Sequence, residues 1–347
     1  MRIVNRRSFL QTVKALSAGT ALSTLTQPAW SHNLQQALAT ASNRPPHDLA
    51  SDEDFWLFIQ QSYMVSPSII NLNNGGVAPS PIPVQEAMKR NFDQANEAPS
   101  YYMWRIMDQG REPLRRNLAR LAGCDPEEIA IQRNASEALE TVIFGLSLKA
   151  GDEVVLSKQD YPNMINAWKQ REQRDGIKLV WVDLQLPSEN TDELVKSYTR
   201  AFTPKTKVLH LTHVINWNGQ IMPVRKIADA AYLRHIEVVV DGAHSLAHFQ
   251  FKVADLGADY FGSSLHKWLS AIGLVHYNVP GFTAADLDAF LWNRYKIHTT
   301  NVNWENIKGV RISPNVYTTT KQLDVLAEGI NDFVRSRGKN KAIDNKQ

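Results

Sequence analysis

Residues 236–268 read IEVVVDGAHSLAHFQFKVADLGADYFGSSLHKW, and this stretch decides how the rest of the chain is read. Ile236, Val238, Val239 and Val240 form a short β-branched run of the kind that makes a buried strand. The run ends on Asp241, so a carboxylate stands where the apolar segment gives out. In open α/β sheets, ligands sit at the carboxyl ends of such strands. A second apolar segment ends in Tyr260-Phe261 and leads to Ser264-Leu265-His266-Lys267, which places a lysine 26 positions after Asp241 and at the end of a neighbouring element. Working outward, Pro223 to Arg234 reads as a crossover helix, Val208 to Val214 as a buried strand and Thr191 to Ala201 as an amphipathic helix. Lys178 to Val182 and Gly151 to Leu156 read as two further strands. Ile129 to Gln132 reads as another strand, followed by a helix opening at Asn134-Ala135-Ser136. Strands alternating with helices at this spacing predict a largely parallel sheet between helix layers.

Taken singly, Asp241 and Lys267 have ordinary readings as a strand-end aspartate and a surface lysine. Together they match the needs of pyridoxal phosphate, which takes a lysine for its Schiff base and a carboxylate for its pyridine nitrogen. With DGAHS and SxHK in this order, the chain resembles the class V aminotransferases among the fold-type I pyridoxal-phosphate enzymes, and in particular the isopenicillin N epimerase-like group, over roughly residues 71–330. The resemblance implies an α/β three-layer sandwich with a mainly parallel sheet and a reduced α+β C-terminal small domain. It implies Lys267 as the Schiff-base lysine, Asp241 on the pyridine nitrogen and His244 at the ring's oxygen edge. Ser264 and His266, with Ala135 and Ser136 at a helix N-terminus, are implied as phosphate ligands. Tyr161 is implied over the ring and Asn216 near its phenolic oxygen. Arg311, in GVRISPNVY, would clamp a substrate carboxylate, and Asn74 would border the substrate side. No metal ligands are expected. The cofactor expected is pyridoxal phosphate, the substrate a small amino acid or amino-acid-derived molecule, and the assembly a homodimer if the chain permits.

The pattern departs from the family after Ala271. A glycine-rich turn and a last large-domain strand are expected there. Instead Ile272 to Asn278 follows at once and looks like a small-domain strand from much later in the family pattern. By this comparison an internal segment is missing, which leaves an impaired or non-catalytic relative as the alternative to an enzyme.

Composition is that of an ordinary globular protein: 347 residues, 43% hydrophobic, 21% charged, with a formal net charge of +3. No basic block points to nucleic acid. The single cysteine, Cys124, excludes an intrachain disulfide and reads as structural. Asn5-Arg6-Arg7-Ser8-Phe9-Leu10 before a short apolar run resembles a twin-arginine export signal, and that run is too short for a stable membrane anchor. The expected location is therefore periplasmic or extracytoplasmic, by way of the twin-arginine export machinery. The expected organisation is an export signal over 1–31, a linker over 32–50 and an N-terminal piece of the small domain over 51–75. The large cofactor-binding domain follows over 76–271, then the truncated small domain over 272–335 and a disordered tail over 336–347. No GxGxxG or GxxxxGK[ST] supports a nucleotide-binding reading.

Overall fold

The computed structural model describes residues 35, 39, 41–267, 275–277 and 282–344. The expected export signal over 1–31 and the residues just after Lys267 lie outside the described residues. Among the described residues, helices α1 (Pro46–Ala50) and α2 (Glu53–Gln61), strand β1 (Ile70–Asn71) and helix α3 (Ile82–Glu97) come in that order. Helices α4 (Arg111–Ala122) and α5 (Ala135–Gly145) come next. Then β2 (Glu153–Ser157), α6 (Pro162–Asp175), β3 (Lys178–Val182), α7 (Thr191–Thr199), β4 (Thr206–Thr212), α8 (Val224–Tyr232) and β5 (Glu237–Asp241) alternate. Strands β6 (Tyr260–Gly262) and β7 (Val275–Tyr277), helix α9 (Ala284–Tyr295), strands β8 (Ile297–His298), β9 (Thr300–Trp304) and β10 (Ile307–Ile312), and helix α10 (Thr320–Asp344) complete it.

The central sheet runs β3-β2-β4-β5-β6 with every pair parallel. Its strands are apolar on both sides, because both faces are covered. Val154, Leu156, Val208 and Val239 pack with Leu139, Ile143, Met164 and Trp168 of α5 and α6. Val155, Leu209, Leu211, Val238 and Val240 pack with Leu194, Tyr198, Ile227 and Ala231 of α7 and α8. Successive strand residues thus enter opposite cores, as the two-residue period of a strand requires. This is the three-layer architecture expected. It brings the C-terminal ends of β4, β5 and β6 side by side, with Thr212 opposite Asp241 and Asp241 opposite Gly262.

A second unit holds the antiparallel sheet β7-β10-β9 and the parallel pair β1-β8. Its core joins Leu72 to Leu287, Leu291, Ile297, Val310, Ile312 and Phe333. Val275 to Tyr277 belong to this second sheet, pairing with Ile312 to Val310.

Three expectations are corrected. The linker over 32–50 contains α1, and Ala41 and Leu49 are buried against Phe55, Trp56, Ile59 and Tyr317. Trp56 Nε1 donates to the Leu49 carbonyl at 2.8 Å, so residues 41–50 are a docked part of the fold. The tail expected from residue 336 is helical as far as Asp344, because α10 continues through it. Ile129 to Gln132 is not a strand. Among the described residues β6 pairs only with β5, and a cavity of about 260 Å³ lined by Ile129, Ala130, Ile131, Phe261 and Gly262 lies between that free edge and this segment. A strand needs a ladder partner, and among the described residues Ile129 to Gln132 has none across that gap.

One glycine is fixed by close approach. A Cβ on Gly242 would stand 2.0 Å from Phe261 Cζ, where the Gly242 N–H donates to the Gly262 carbonyl at 2.7 Å. Gly242→Ala is expected to cost about 1–3 kcal/mol of stability through overpacking, read from the urea midpoint.

Candidate active site

The site forms where β4, β5 and the turn after β6 end together. Asp241, the last residue of β5, is buried, and its Oδ1 accepts from the Ala243 N–H at 2.9 Å. Burial pushes its pKa up, while that hydrogen bond and the Lys267 ammonium pull it down. Lys267 ends the turn Leu265–Lys267, and its Nζ lies 3.2 Å from His244 Nε2 and 5.7 Å from the Tyr161 ring centre. Burial lowers the lysine pKa; Asp241 opposes that effect and Arg311 adds to it. His244 is held well below the usual histidine range by burial and then by Lys267, so it is a neutral imidazole. Its Nε2 accepts from Lys267, which leaves the hydrogen on Nδ1.

The anion-binding side is built by α5. Asn134 caps this helix, its side chain accepting from the Glu137 N–H. Ala135 donates its N–H to Ser264 Oγ at 3.3 Å, and Ser136 Oγ accepts from Asn163 Nδ2 at 3.3 Å. An 11-residue helix presents the positive end of its dipole at its start, which favours an anion, and two hydroxyls stand beside it.

Arg311 comes from the other sheet and reaches the pocket. It is 7% exposed, its Nη1 donates to the Asn216 carbonyl at 3.0 Å, and its Nη2 donates to Asn73 Oδ1 at 2.9 Å. Asn216 enters through the tight turn after β4.

Two site residues are placed otherwise than expected. Asn74 is fully buried, and its amide is engaged on every side. It donates to the carbonyls of Asn71 and Ser313 and accepts from Asn71 Nδ2 and the Tyr317 hydroxyl. It clasps the N-terminal segment to the strand after β10 and has no hydrogen bond left for a substrate; Asn73 is the asparagine that meets Arg311. His266 has an exposed side chain, and it is its main-chain carbonyl that is engaged, accepting from the Ala78 N–H at 3.3 Å. His210 is a core histidine edge-on to Trp168, and His213 packs against Phe249 and Phe251.

Sequence reasoning missed Asp160. It precedes Tyr161 and is fully buried, with Oδ1 accepting from the Thr212 hydroxyl at 2.6 Å and Oδ2 from the Ser157 N–H at 2.7 Å. Nothing in its local sequence separates it from a solvated turn aspartate. Burial raises its pKa to about 7, against 3.8 for the free side chain. The folded state therefore binds a proton that the unfolded state releases between these two values, so this group's contribution falls as pH rises through the window. Asp160→Asn, which keeps the shape, is expected to remove this slope. The difference between variant and wild-type unfolding free energies should change by roughly 2–4 kcal/mol between about pH 5 and about pH 8.

The fit to a ring-shaped, polar group can be judged from the walls. His244 Nδ1, Asn216 Oδ1 and Arg311 Nε are all buried without a hydrogen-bond partner. Unsatisfied buried polar atoms are rare, and a ligand is one of the things that satisfies them. Three of them near one lysine, with a buried carboxylate and a helix N-terminus, fit pyridoxal phosphate. Among the described residues, no cluster of three or more His, Cys, Asp or Glu side chains could hold a metal ion.

A parallel α/β sheet with a lysine and an aspartate converging at its C-terminal edge defines the class. The particular family follows from comparison: the model of the class V aminotransferases matches residues 70–276, and the chain belongs to that family. It is 30% identical over 230 residues to the isopenicillin N epimerase of Streptomyces clavuligerus, covering 65% of this chain and 57% of that one. A probable cysteine desulfurase of Halalkalibacterium halodurans is 27% identical over 213 residues, covering 59% of this chain and 52% of that one. The chain thus spans a little over half the length of these relatives. Among solved structures, the cysteine desulfurase CsdA of Escherichia coli superposes with a TM-score of 0.66 at 15% identity, covering 81% of this chain and 98% of that one. A mutant of C-DES that carries glycine covalently linked to its PLP cofactor superposes at 0.56 with 21% identity, covering 80% of this chain and 74% of that one.

Proposed function

We propose that this protein is a pyridoxal-phosphate-dependent enzyme acting at the α-carbon of an amino acid or amino-acid-derived substrate, as an aminotransferase or an epimerase. The observation that carries the reading is the position of Lys267 Nζ between His244 and the Tyr161 ring, on the edge that also bears Asp241. Lys267 would hold the cofactor's aldehyde carbon and Asp241 its ring nitrogen. Tyr161 would cover a ring face, His244 and Asn216 would meet the oxygen edge, and Ala135, Ser136 and Ser264 would hold the phosphate. Bound there, the cofactor supplies an electron sink that makes an α-proton removable.

The chain's own groups then divide the work. Lys267, its pKa lowered by burial, takes the α-proton as a base and returns it. Neutral His244 accepts a hydrogen bond from the lysine amine and competes for no proton near neutral pH. Arg311 presents a planar fork to two carboxylate oxygens. Transfer of the amino group and inversion at the α-carbon both begin with this proton removal. Desulfuration needs a nucleophilic cysteine. The single cysteine, Cys124, lines the cavity beside Ile129 and Phe261, and burial raises its thiol pKa.

The test is an absorbance spectrum of the purified protein with pyridoxal phosphate, with Lys267→Ala alongside. A visible band that disappears in the variant is expected, together with exchange of substrate α-hydrogen for deuterium. No band in the wild-type protein would sink the reading. A band that no amino acid changes would favour the non-catalytic alternative.

Two further parts of the reading have their own support. A homodimer is favoured by α3, which buries no residue and exposes Val84, Met88 and Phe92 at 53%, 75% and 70%, four residues apart along one face. A face of this kind is rarely left to solvent. The wild-type protein is expected to scatter light as a dimer and Met88→Asp/Phe92→Asp as a monomer; a monomeric wild type would refute this. Export is favoured by Arg6-Arg7 ahead of the short apolar run. Replacing both with lysine should retain the protein in the cytoplasm in a cell-fractionation assay.

A further inference from the structure

His248 lies seven residues after Asp241 and four after His244, in the turn that follows β5. Its Nε2 is 3.2 Å from the carbonyl oxygen of Lys267. A carbonyl only accepts, so Nε2 carries the hydrogen in this arrangement. The imidazole therefore ties the Asp241–His248 turn to the main chain of the lysine whose amine is already 3.2 Å from His244. Two histidines from one turn hold one residue at both ends, His244 at the amine and His248 at the backbone; their ring centres are 6.4 Å apart.

A second observation points the same way. Ala247, the residue before His248, has φ of 66° in the left-handed region. A non-glycine residue there is strained and persists only where its surroundings hold it. His248 is itself placed by its N–H, which donates to the Ser245 carbonyl at 3.1 Å. The turn carries this strain at the residue that sets the direction of the imidazole. The lysine turn needs such support, because Leu265–Lys267 is a single three-residue turn.

We propose that His248 is a positioning residue for Lys267: it fixes the lysine's main-chain carbonyl, so that the amine keeps its aim between His244 and Tyr161. The inference rests on the proposed role of Lys267 as the cofactor's lysine.

The experiment uses His248→Gln and His248→Asn in the full chain. Both are neutral amides, but the glutamine N–H₂ reaches about as far as imidazole Nε2 and the asparagine falls short by one carbon–carbon bond. The readout is the rate at which added pyridoxal phosphate links to Lys267, trapped with borohydride and quantified by peptide mass spectrometry, with no turnover involved. Non-covalent binding of pyridoxal phosphate is measured in parallel in the Lys267→Ala background. His248→Gln is expected within about threefold of wild type and His248→Asn at least about tenfold slower, with non-covalent binding unchanged in both, the scale of one hydrogen bond. Equal rates in the two variants, whether both fast or both slow, would overturn the inference. So would a loss of non-covalent binding that parallels the loss of labelling. If the wild-type protein itself gives no Lys267 adduct, the proposed function fails and this inference with it. Wild-type labelling with indistinguishable variants fails the inference alone.

Discussion

Asp241→Asn is expected to slow exchange of the substrate α-proton by about 10²–10⁴-fold while the visible band on adding pyridoxal phosphate persists. Asn has the shape of Asp, so the bond from the Ala243 N–H to Oδ1 survives. What disappears is a fully buried negative charge at the end of β5, between Thr212 and Gly262 of the flanking strands. In the proposed complex its partner is the cofactor's ring nitrogen, and removing one member of a buried ionic pair costs about 3–5 kcal/mol, because the other member is left uncompensated. Lys267 should respond as well. Asp241 is the group that raises its pKa against burial, so the variant lysine should lose its proton at still lower pH. Deuterium exchange followed by proton NMR measures the first effect, and the pH dependence of Lys267 labelling the second. Exchange within about threefold of wild type would mean that Asp241 holds no charge that matters to the chemistry.

Arg311→Met is expected to lower kcat/KM by about 30–10³-fold, mostly through KM, for substrates that carry an α-carboxylate. Arg311 is buried with two of its nitrogens already tethered, to the Asn216 carbonyl and to Asn73, and its Nε is unpaired. The fork is thus fixed before substrate arrives, which reduces the ordering cost of binding. An amine lacking the carboxylate should be processed equally by variant and wild type. Arg311→Lys should recover only part of the loss, since an ammonium cannot present two parallel donors. If the variant discriminates against the carboxylate-free amine as wild type does, Arg311 is a structural tether only.

Several residues of the candidate site are placed by local sequence signals, while their roles come from the family resemblance. Asp241 ends an apolar run and Lys267 follows another by a short turn, and in a parallel sheet strand ends converge on one edge. Ala135 and Ser136 follow an N-cap asparagine, which marks a helix start in any fold. Asn74 is placed wrongly by such reading because Asn71, Asn73 and Asn74 look alike in sequence. Only the packing shows Asn74 satisfied on every side and Asn73 turned toward Arg311. Asp160 and His248 escape it for a related reason. An aspartate in a turn and a histidine after a strand are usually solvated, and the burial of Asp160 and the contact of His248 with Lys267 depend on how distant parts of the chain meet.

The residues alone determined the parallel three-layer fold, because short continuous apolar strands alternating with amphipathic crossover helices are short-range patterns. They also determined the lysine and aspartate around which the site is built. Tertiary structure alone decided that Arg311 reaches that site from a second sheet, that Val275 to Tyr277 joins β10, and that Ile129 to Gln132, among the described residues, has no ladder partner across the cavity from β6. Each of these depends on which backbone edges and side chains from distant parts of the chain meet, and no local periodicity records such meetings.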